Sequence, residues 1–230
     1  MNQTGVRIDG AVAGLSRAER IAALRARIDA VENSAAPARQ PKVQPAVEVV
    51  GVPSALAGLL PAGGLARRQA VACSECAALA VELITHVSAH GGHVGVVGWP
   101  NLSLAQVAEE GDVSRVVTVP DAGADPWAVT GILCEGLDLV IHRGTGELSP
   151  TRARPVLAKL RGGQAAVLTV GTRLPGTSTA LRAEVVTFRG VGKGSGRIRG
   201  LDIDVHVDSK GRNPVRGVVT CGQRRRLEAV

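Results

Sequence analysis

Tyrosine is absent from this chain of 230 residues, phenylalanine occurs once and tryptophan twice, although 45% of the composition is hydrophobic. Any core must therefore be built from Ala, Val, Leu and Ile. The same numbers argue against binding of nucleic acid on a set of aromatic platforms, as RRM and OB modules do it, so that basic charge is expected to meet backbone phosphates. Lysine is scarce too: only Lys42, Lys159, Lys193 and Lys210 among 27 basic residues, a bias that GC-rich coding also produces. No apolar run is long enough to span a bilayer, because residues 70–84 are interrupted by Glu75 and Glu82, and no membrane partner is expected. The start, MNQTGVRIDG, lacks the apolar stretch of a secretory signal, which points to the cytoplasm. Cys73 and Cys76 form a C-x-x-C, but Cys134 and Cys221 have no neighbouring ligand in sequence. Zinc and a redox dithiol are therefore not expected, and four buried thiols in a reducing compartment are.

What the chain does have is basic charge at its ends. Residues 1–46 carry 7 basic and 4 acidic groups, residues 47–188 carry 10 and 12, and residues 189–230 carry 10 and 4. A near-neutral body with two basic ends suggests that the ends meet something acidic. In residues 16–32, Ser16 and Glu19 form a capping box, and Ile21, Leu24, Ile28 and Val31 recur at helical spacing, which predicts an amphipathic helix with an unpartnered docking face. Three prolines without periodicity make residues 33–46 a linker. The expected organisation is 1–46 helix and linker, 47–209 the folded domain, and 210–230 a basic tail.

Within the domain, nearly all-apolar runs alternate with helical stretches. Strands are expected at 69–73, 93–97, 115–119, 137–142 and 165–170, with helices at 74–89, 103–111, 126–136 and 149–161. Continuous apolar strands separated by helices predict an α/β fold with a mainly parallel sheet buried on both faces. Residues 182–189 and 197–207 alternate apolar with polar and predict a C-terminal antiparallel hairpin with one wet face.

Such a sheet places its site in the loops beyond the carboxyl ends of its strands. A phosphate-binding loop there needs glycines for backbone N–H approach, a Lys, and a Ser or Thr hydroxyl for Mg²⁺. Residues 73–78 read Cys-Ser-Glu-Cys-Ala-Ala instead, and Glu75 would repel phosphate. The strand that should end in a metal-binding acid ends at His142, while Asp138 lies at its other end. Gly190, Gly192, Lys193, Gly194 and Gly196 mimic a phosphate loop but join two strands, so a hairpin turn is expected. His86, His90, His93, His142 and His206 have no metal or triad context. No catalytic, cofactor or metal residue is assigned, and no enzyme activity is expected. Contacts with a partner or DNA are assigned to Lys210, Arg212, Arg216, Arg224, Arg225 and Arg226, the last three being the densest charge cluster.

The order of elements resembles the RecA core. Leu59-Leu60-Pro61-Ala62-Gly63-Gly64-Leu65-Ala66-Arg67-Arg68 resembles the stretch that leads into the Walker A strand. Residues 103–150, with GDVSRVVTVPDAG and a strand running into Gly-Glu-Leu-Ser-Pro, resemble its middle, and VVTFRGVGKGSGRIRGLDIDVHVDSKGRNP its terminal hairpin. The similarity covers about residues 55–214 and fails at the functional positions: Walker A is shortened, Gly98-Trp99-Pro100 replaces the catalytic Glu, and His142 ends Walker B. A RecA-like body of this kind with two appended ends is similar to the actinobacterial ImuA-type proteins. That resemblance implies a damage-inducible, SOS-linked adaptor in translesion synthesis. Its partner would be an ImuB-type Y-family polymerase homologue and, indirectly, a DnaE-type error-prone polymerase and the sliding clamp; DNA, RecA or a second copy are further candidates. It also implies association with the nucleoid. An ATP-dependent recombination or RecA-modulating factor, or a SulA-like inhibitor of cell division, are the alternatives. In recombinases the places of Lys210 and Arg212 hold a basic pair that reaches a neighbour's nucleotide.

Overall fold

A computed structural model describes residues 47–192 and 194–222. The expected helix with Ile21, Leu24, Ile28 and Val31, the linker, Lys193, and Arg224, Arg225 and Arg226 lie outside the described residues.

Strand β1 (Val49–Val50) pairs antiparallel with β2 (Leu65–Ala66), and a single helical turn, α1 (Ser54–Ala57), lies between them. The chain then builds β3 (Ala70–Cys73), α2 (Ala77–Ala89), β4 (Val94–Val97), α3 (Ala105–Glu110), β5 (Val116–Val119), α4 (Pro126–Gly136), β6 (Leu139–Glu147), α5 (Pro150–Gly162), β7 (Ala166–Arg173), β8 (Thr179–Gly192), β9 (Ser195–Ser209) and β10 (Val215–Cys221). The eight strands β3 to β10 form one sheet in the order β10-β9-β8-β3-β7-β6-β4-β5. All neighbours from β8 to β5 are parallel, while β9 and β10 are antiparallel additions. This is the mainly parallel, helix-flanked architecture that the element order implied.

Two aliphatic layers hold it. On one face Leu79, Leu83 and Ile84 of α2 are fully buried with Val71, Leu168, Ile203 and Val205 of the sheet. On the other, Cys134 of α4 and Ala153 and Leu160 of α5 are buried with Val97, Val140 and Val167. The central parallel strands β4, β6 and β7 alternate between the two layers, and Val94–Val97, Leu139–His142 and Ala166–Val170 are buried at every position, which is why they are almost wholly apolar, as buried parallel strands are. Helix α4 begins where expected because Asp125 accepts a hydrogen bond from the Ala128 N–H (3.1 Å) and Pro126 occupies the first turn. No helix among the described residues is long and apolar enough to cross a membrane.

Three expectations are corrected. Strands β6 and β7 run past 142 and 170 to Glu147 and Arg173, where Gly146 pairs with Thr172 after a register shift; positive φ at Gly146 (77°) and Gly171 (69°) carries the chain through this irregularity. Residues 171–173 thus belong to β7. The C-terminal hairpin is a three-stranded unit, and residues 210–230 do not begin as a tail. Val215–Cys221 pairs along β9, burying Val219 and Cys221, while Arg216, Val218 and Thr220 face outward. Its three small or polar outward positions hid a strand period that Val219 and Cys221 alone were too few to declare.

The opposite edge, where the parallel strands begin, is closed by a clamp. Arg67 donates from Nη2 to Asp138 Oδ1 (2.8 Å) and from Nη1 to the Gln164 carbonyl (2.8 Å), while the His93 N–H donates to Asp138 Oδ2 (2.9 Å). Burial alone would raise the Asp138 carboxyl, but the His93 N–H and the Arg67 guanidinium hold it below its ordinary value. Asp138→Ala removes the acceptor of both bonds and is expected to lower stability by about 1–3 kcal/mol, measurable by urea denaturation.

Candidate functional site

Beyond the carboxyl ends of β3, β4 and β6, the protein's own side chains occupy the space where an α/β sheet of this order would receive a ligand. The connection from β3 to α2 is three residues long. Ser74 is spent on the sheet: its hydroxyl accepts from the Ala183 N–H (2.8 Å) and donates to the Ala183 carbonyl (3.2 Å), tying β3 to β8. Cys76 caps α2 in an extended conformation. Its thiol is raised by burial, against the opposing pull of the Leu79 and Ala78 N–H groups. Between them Glu75 accepts from Arg143 Nε (3.1 Å) and Nη2 (2.6 Å). The same guanidinium lies 5.6 Å from the centre of the buried Trp99 ring, a cation–π arrangement. Glu75, Arg143 and Trp99 therefore form one bridge across the ends of three strands.

Behind that bridge stands His142. It is 2% exposed, its Nδ1 is 2.7 Å from Thr130 Oγ1, and its ring stacks on Trp127 at 3.7 Å and 16°. The Thr130 hydroxyl also lies 3.0 Å from the Pro126 carbonyl, to which it donates; its oxygen is then left to accept from His142 Nδ1–H. A buried imidazole, stacked on an indole, thus occupies this position of β6. Gly144 approaches its other nitrogen, so a Cβ there would lie 3.0 Å from Nε2.

A depression of about 420 Å³ remains beside the bridge, lined by Ser74, Glu147, Thr172, Arg173 and Arg182 among others. A larger groove of about 1050 Å³ runs between α2, α3 and β9, with an apolar floor including Val81 and Leu201, Glu109 and Glu110 on one side, and Arg197 and Arg199 on the other. No group of three or more metal-ligating side chains occurs among the described residues. The four cysteines are buried, as the sequence suggested, and burial pushes the Cys73 and Cys134 thiols up to about 12. Reactive thiolates are not formed at these positions. The His86 and His90 rings stack obliquely at 4.2 Å on α2.

The basic residues assigned from sequence do not form one cluster. Lys210 and Arg212 are exposed in the turn between β9 and β10, at the edge where the parallel strands begin. β10 then runs the length of the sheet, so Gly222, from which Arg224, Arg225 and Arg226 follow, is at the other edge. Arg216 is engaged on the sheet surface, with Nε 2.9 Å from Asp204 Oδ1 and Nη2 2.8 Å from Oδ2; this hydrogen bond holds the Asp204 carboxyl below its ordinary value. Sequence reasoning missed the Glu75–Arg143 and Trp127–His142 pairs. The one available signal was that both tryptophans, Trp99 and Trp127, follow the ends of predicted strands, within loops or first helical turns.

Burial lowers His142 from 6.5 to about 4. The unfolded chain therefore takes up a proton on this residue before the folded one does. Its contribution to stability is complete above about pH 6.5 and is lost as pH falls toward about 4, by at most about 1.4 kcal/mol per unit. Asp112, Asp138 and Asp204, held below their ordinary values, lose their contributions only at lower pH. His142→Gln is expected to flatten the stability difference between about pH 7 and pH 5, as urea titrations at the two values would measure.

The model of the MT3502 N-terminal domain family matches residues 58–176, which span β2 through β7. Rv3395c, an uncharacterized protein of Mycobacterium tuberculosis, is 33% identical over 170 residues, covering 69% of this chain and 83% of its own length. Among solved structures, the KaiC-like protein PH0186 of Pyrococcus horikoshii aligns over 76% of this chain and 99% of its own, with 11% identity and a TM-score of 0.44.

Proposed function

This chain belongs to the MT3502 N-terminal domain family, and from that premise we propose that it is a non-catalytic adaptor of the ImuA type. In this reading the RecA-like body binds an ImuB-type Y-family polymerase homologue and helps assemble a DnaE-type error-prone polymerase and the sliding clamp at damaged DNA. The observation that carries the proposal is the self-filled strand edge. Glu75, Arg143 and Trp99 engage one another there, and His142 is held separately by Thr130 and Trp127; in this reading Glu75 and His142 stand where groups that handle a nucleoside triphosphate would be needed. Glu75 puts negative charge where phosphates would lie, and the imidazole of His142, stacked and neutral, has no charge to offer Mg²⁺. What survives is the scaffold, with its surfaces available for macromolecules.

Purified protein is expected to show no ATP turnover above background and no nucleotide-dependent thermal shift, and to co-purify with the ImuB-type protein. Mg²⁺-dependent ATPase activity abolished by substitutions within residues 71–79 would overturn the proposal in favour of an ATP-dependent recombination factor. Filamentous growth on overexpression without the polymerase partners would favour the SulA-like reading. Deleting residues 224–226 is expected to weaken partner capture while leaving the melting temperature of the body unchanged, because terminal charges contribute little to a core.

A further inference from the structure

The longest strands of the sheet extend far beyond the body they belong to. β3 ends at Cys73, opposite Leu181 of β8, and β10 ends at Cys221, opposite Leu201 of β9. Past those points β8 and β9 pair only with each other, out to the turn at Gly194. At about 3.3 Å per residue, this leaves a two-stranded arm about 16 Å long on the edge that carries the candidate site. The arm and its base, residues 186–200, include Arg189, Lys193, Arg197 and Arg199 and no acid. The only phenylalanine of the chain is here and not in the core: Phe188 is 57% exposed, with Val191 and Ile198 exposed beyond it.

We propose that this arm binds single-stranded nucleic acid, with Phe188 as a platform for one base and Arg197 and Arg199 as phosphate ligands. Phe188 pairs with Leu201, and just beyond it the register shifts between Arg189 and Val191, with Gly190 (φ 89°) inside the irregularity. A Cβ at Gly190 would lie 2.9 Å from Arg199 Cγ, so the arginine stem crosses the ribbon over this glycine. Arg199 thus lies two residues along β9 from Leu201, the partner of the exposed Phe188. Among the described residues neither Arg197 nor Arg199 has a carboxylate partner. Arg189 does not share this freedom: it donates to the Cys221 carbonyl (2.8 Å) and lies 3.5 Å from Asp202, and so braces the arm's base. A Cβ at Gly222 would lie 2.7 Å from the Arg199 carbonyl.

A phosphodiester backbone with unpaired bases uses both elements at once, through counterion release at the cations and stacking on the ring. An acidic peptide would meet the cations and gain nothing from the ring. Duplex would hide the base faces that Phe188 offers. Glu109 and Glu110, across the groove from Arg197 and Arg199, keep a polyanion out of the groove and on the arm. The inference is independent of the polymerase partner and is tested without it.

The full chain is titrated against fluorescein-labelled oligothymidylate of about sixteen nucleotides, by anisotropy, at salt from about 50 to 200 mM. Arg197→Gln with Arg199→Gln is expected to weaken binding tenfold or more. It should also reduce the slope of log K against log salt by about 1.4, at about 0.7 per phosphate contact on a single strand. Phe188→Ala is expected to weaken binding about tenfold with the slope unchanged, and Phe188→Trp to restore it. Thermal melts identify any variant that fails to fold; Arg197→Glu alone then replaces the double variant and Phe188→Ser replaces Phe188→Ala, with the same expected losses. Absence of wild-type binding, unchanged affinity in either variant, tighter binding of the matching duplex, or equal competition by polyglutamate at the same charge would each overturn the assignment.

Discussion

Parallel pairing is the constraint on which the rest of this molecule depends. Because β3, β4, β5, β6, β7 and β8 all run the same way, every chain segment that leaves a strand does so at one edge and returns at the other. The two edges consequently acquire different characters. The starting edge is closed by Arg67, Asp138 and the backbone of His93 and Gln164, a polar seam with few degrees of freedom. The leaving edge collects the loops, both tryptophans, the arm and the start of the C-terminal residues. The antiparallel strands exploit the same geometry, since β9 and β10 only shuttle the chain down and up again, and so decide which basic residues share an edge.

The body was legible because a sheet buried on both faces writes its strands as unbroken apolar runs. Val94–Val97 and Pro126–Gly136 could be read almost to the residue for this reason, and because Asp125 and Pro126 mark a helix start. The errors have physical causes as well. Gly144 and Gly146 interrupt β6 in sequence, yet in space their lack of side chains lets the strand run on past His142 and re-pair with Thr172. β10 was hidden because an outer strand with one wet face need bury only two or three side chains. At the candidate site, the absence of a phosphate-loop pattern from residues 73–78 and the apolar run ending at His142 were visible in sequence. The Glu75–Arg143 pair was not, because it joins residues 68 positions apart and such pairs leave no local pattern.

The polar groups at the leaving edge find partners within the chain: a charge pair, a ring beneath a guanidinium, and a buried imidazole with a hydroxyl partner. Buried polar groups left unpaired are costly, and His142, the most deeply buried of them, is not left so. Both indoles serve the core as well as the edge, Trp99 within one aliphatic layer and Trp127 packed against the other.

One consequence follows from where those rings are. With no tyrosine and one phenylalanine in the chain, its near-ultraviolet absorption and emission come from two indoles, and both belong to a single edge. Trp127 lies flat on an imidazole and Trp99 beneath a guanidinium, so each is in contact with a group whose charge or displacement alters indole emission. The molecule thus carries its own optical probe, blind to the opposite edge and to the interior, and placed where a partner approaching the strand ends would be felt first.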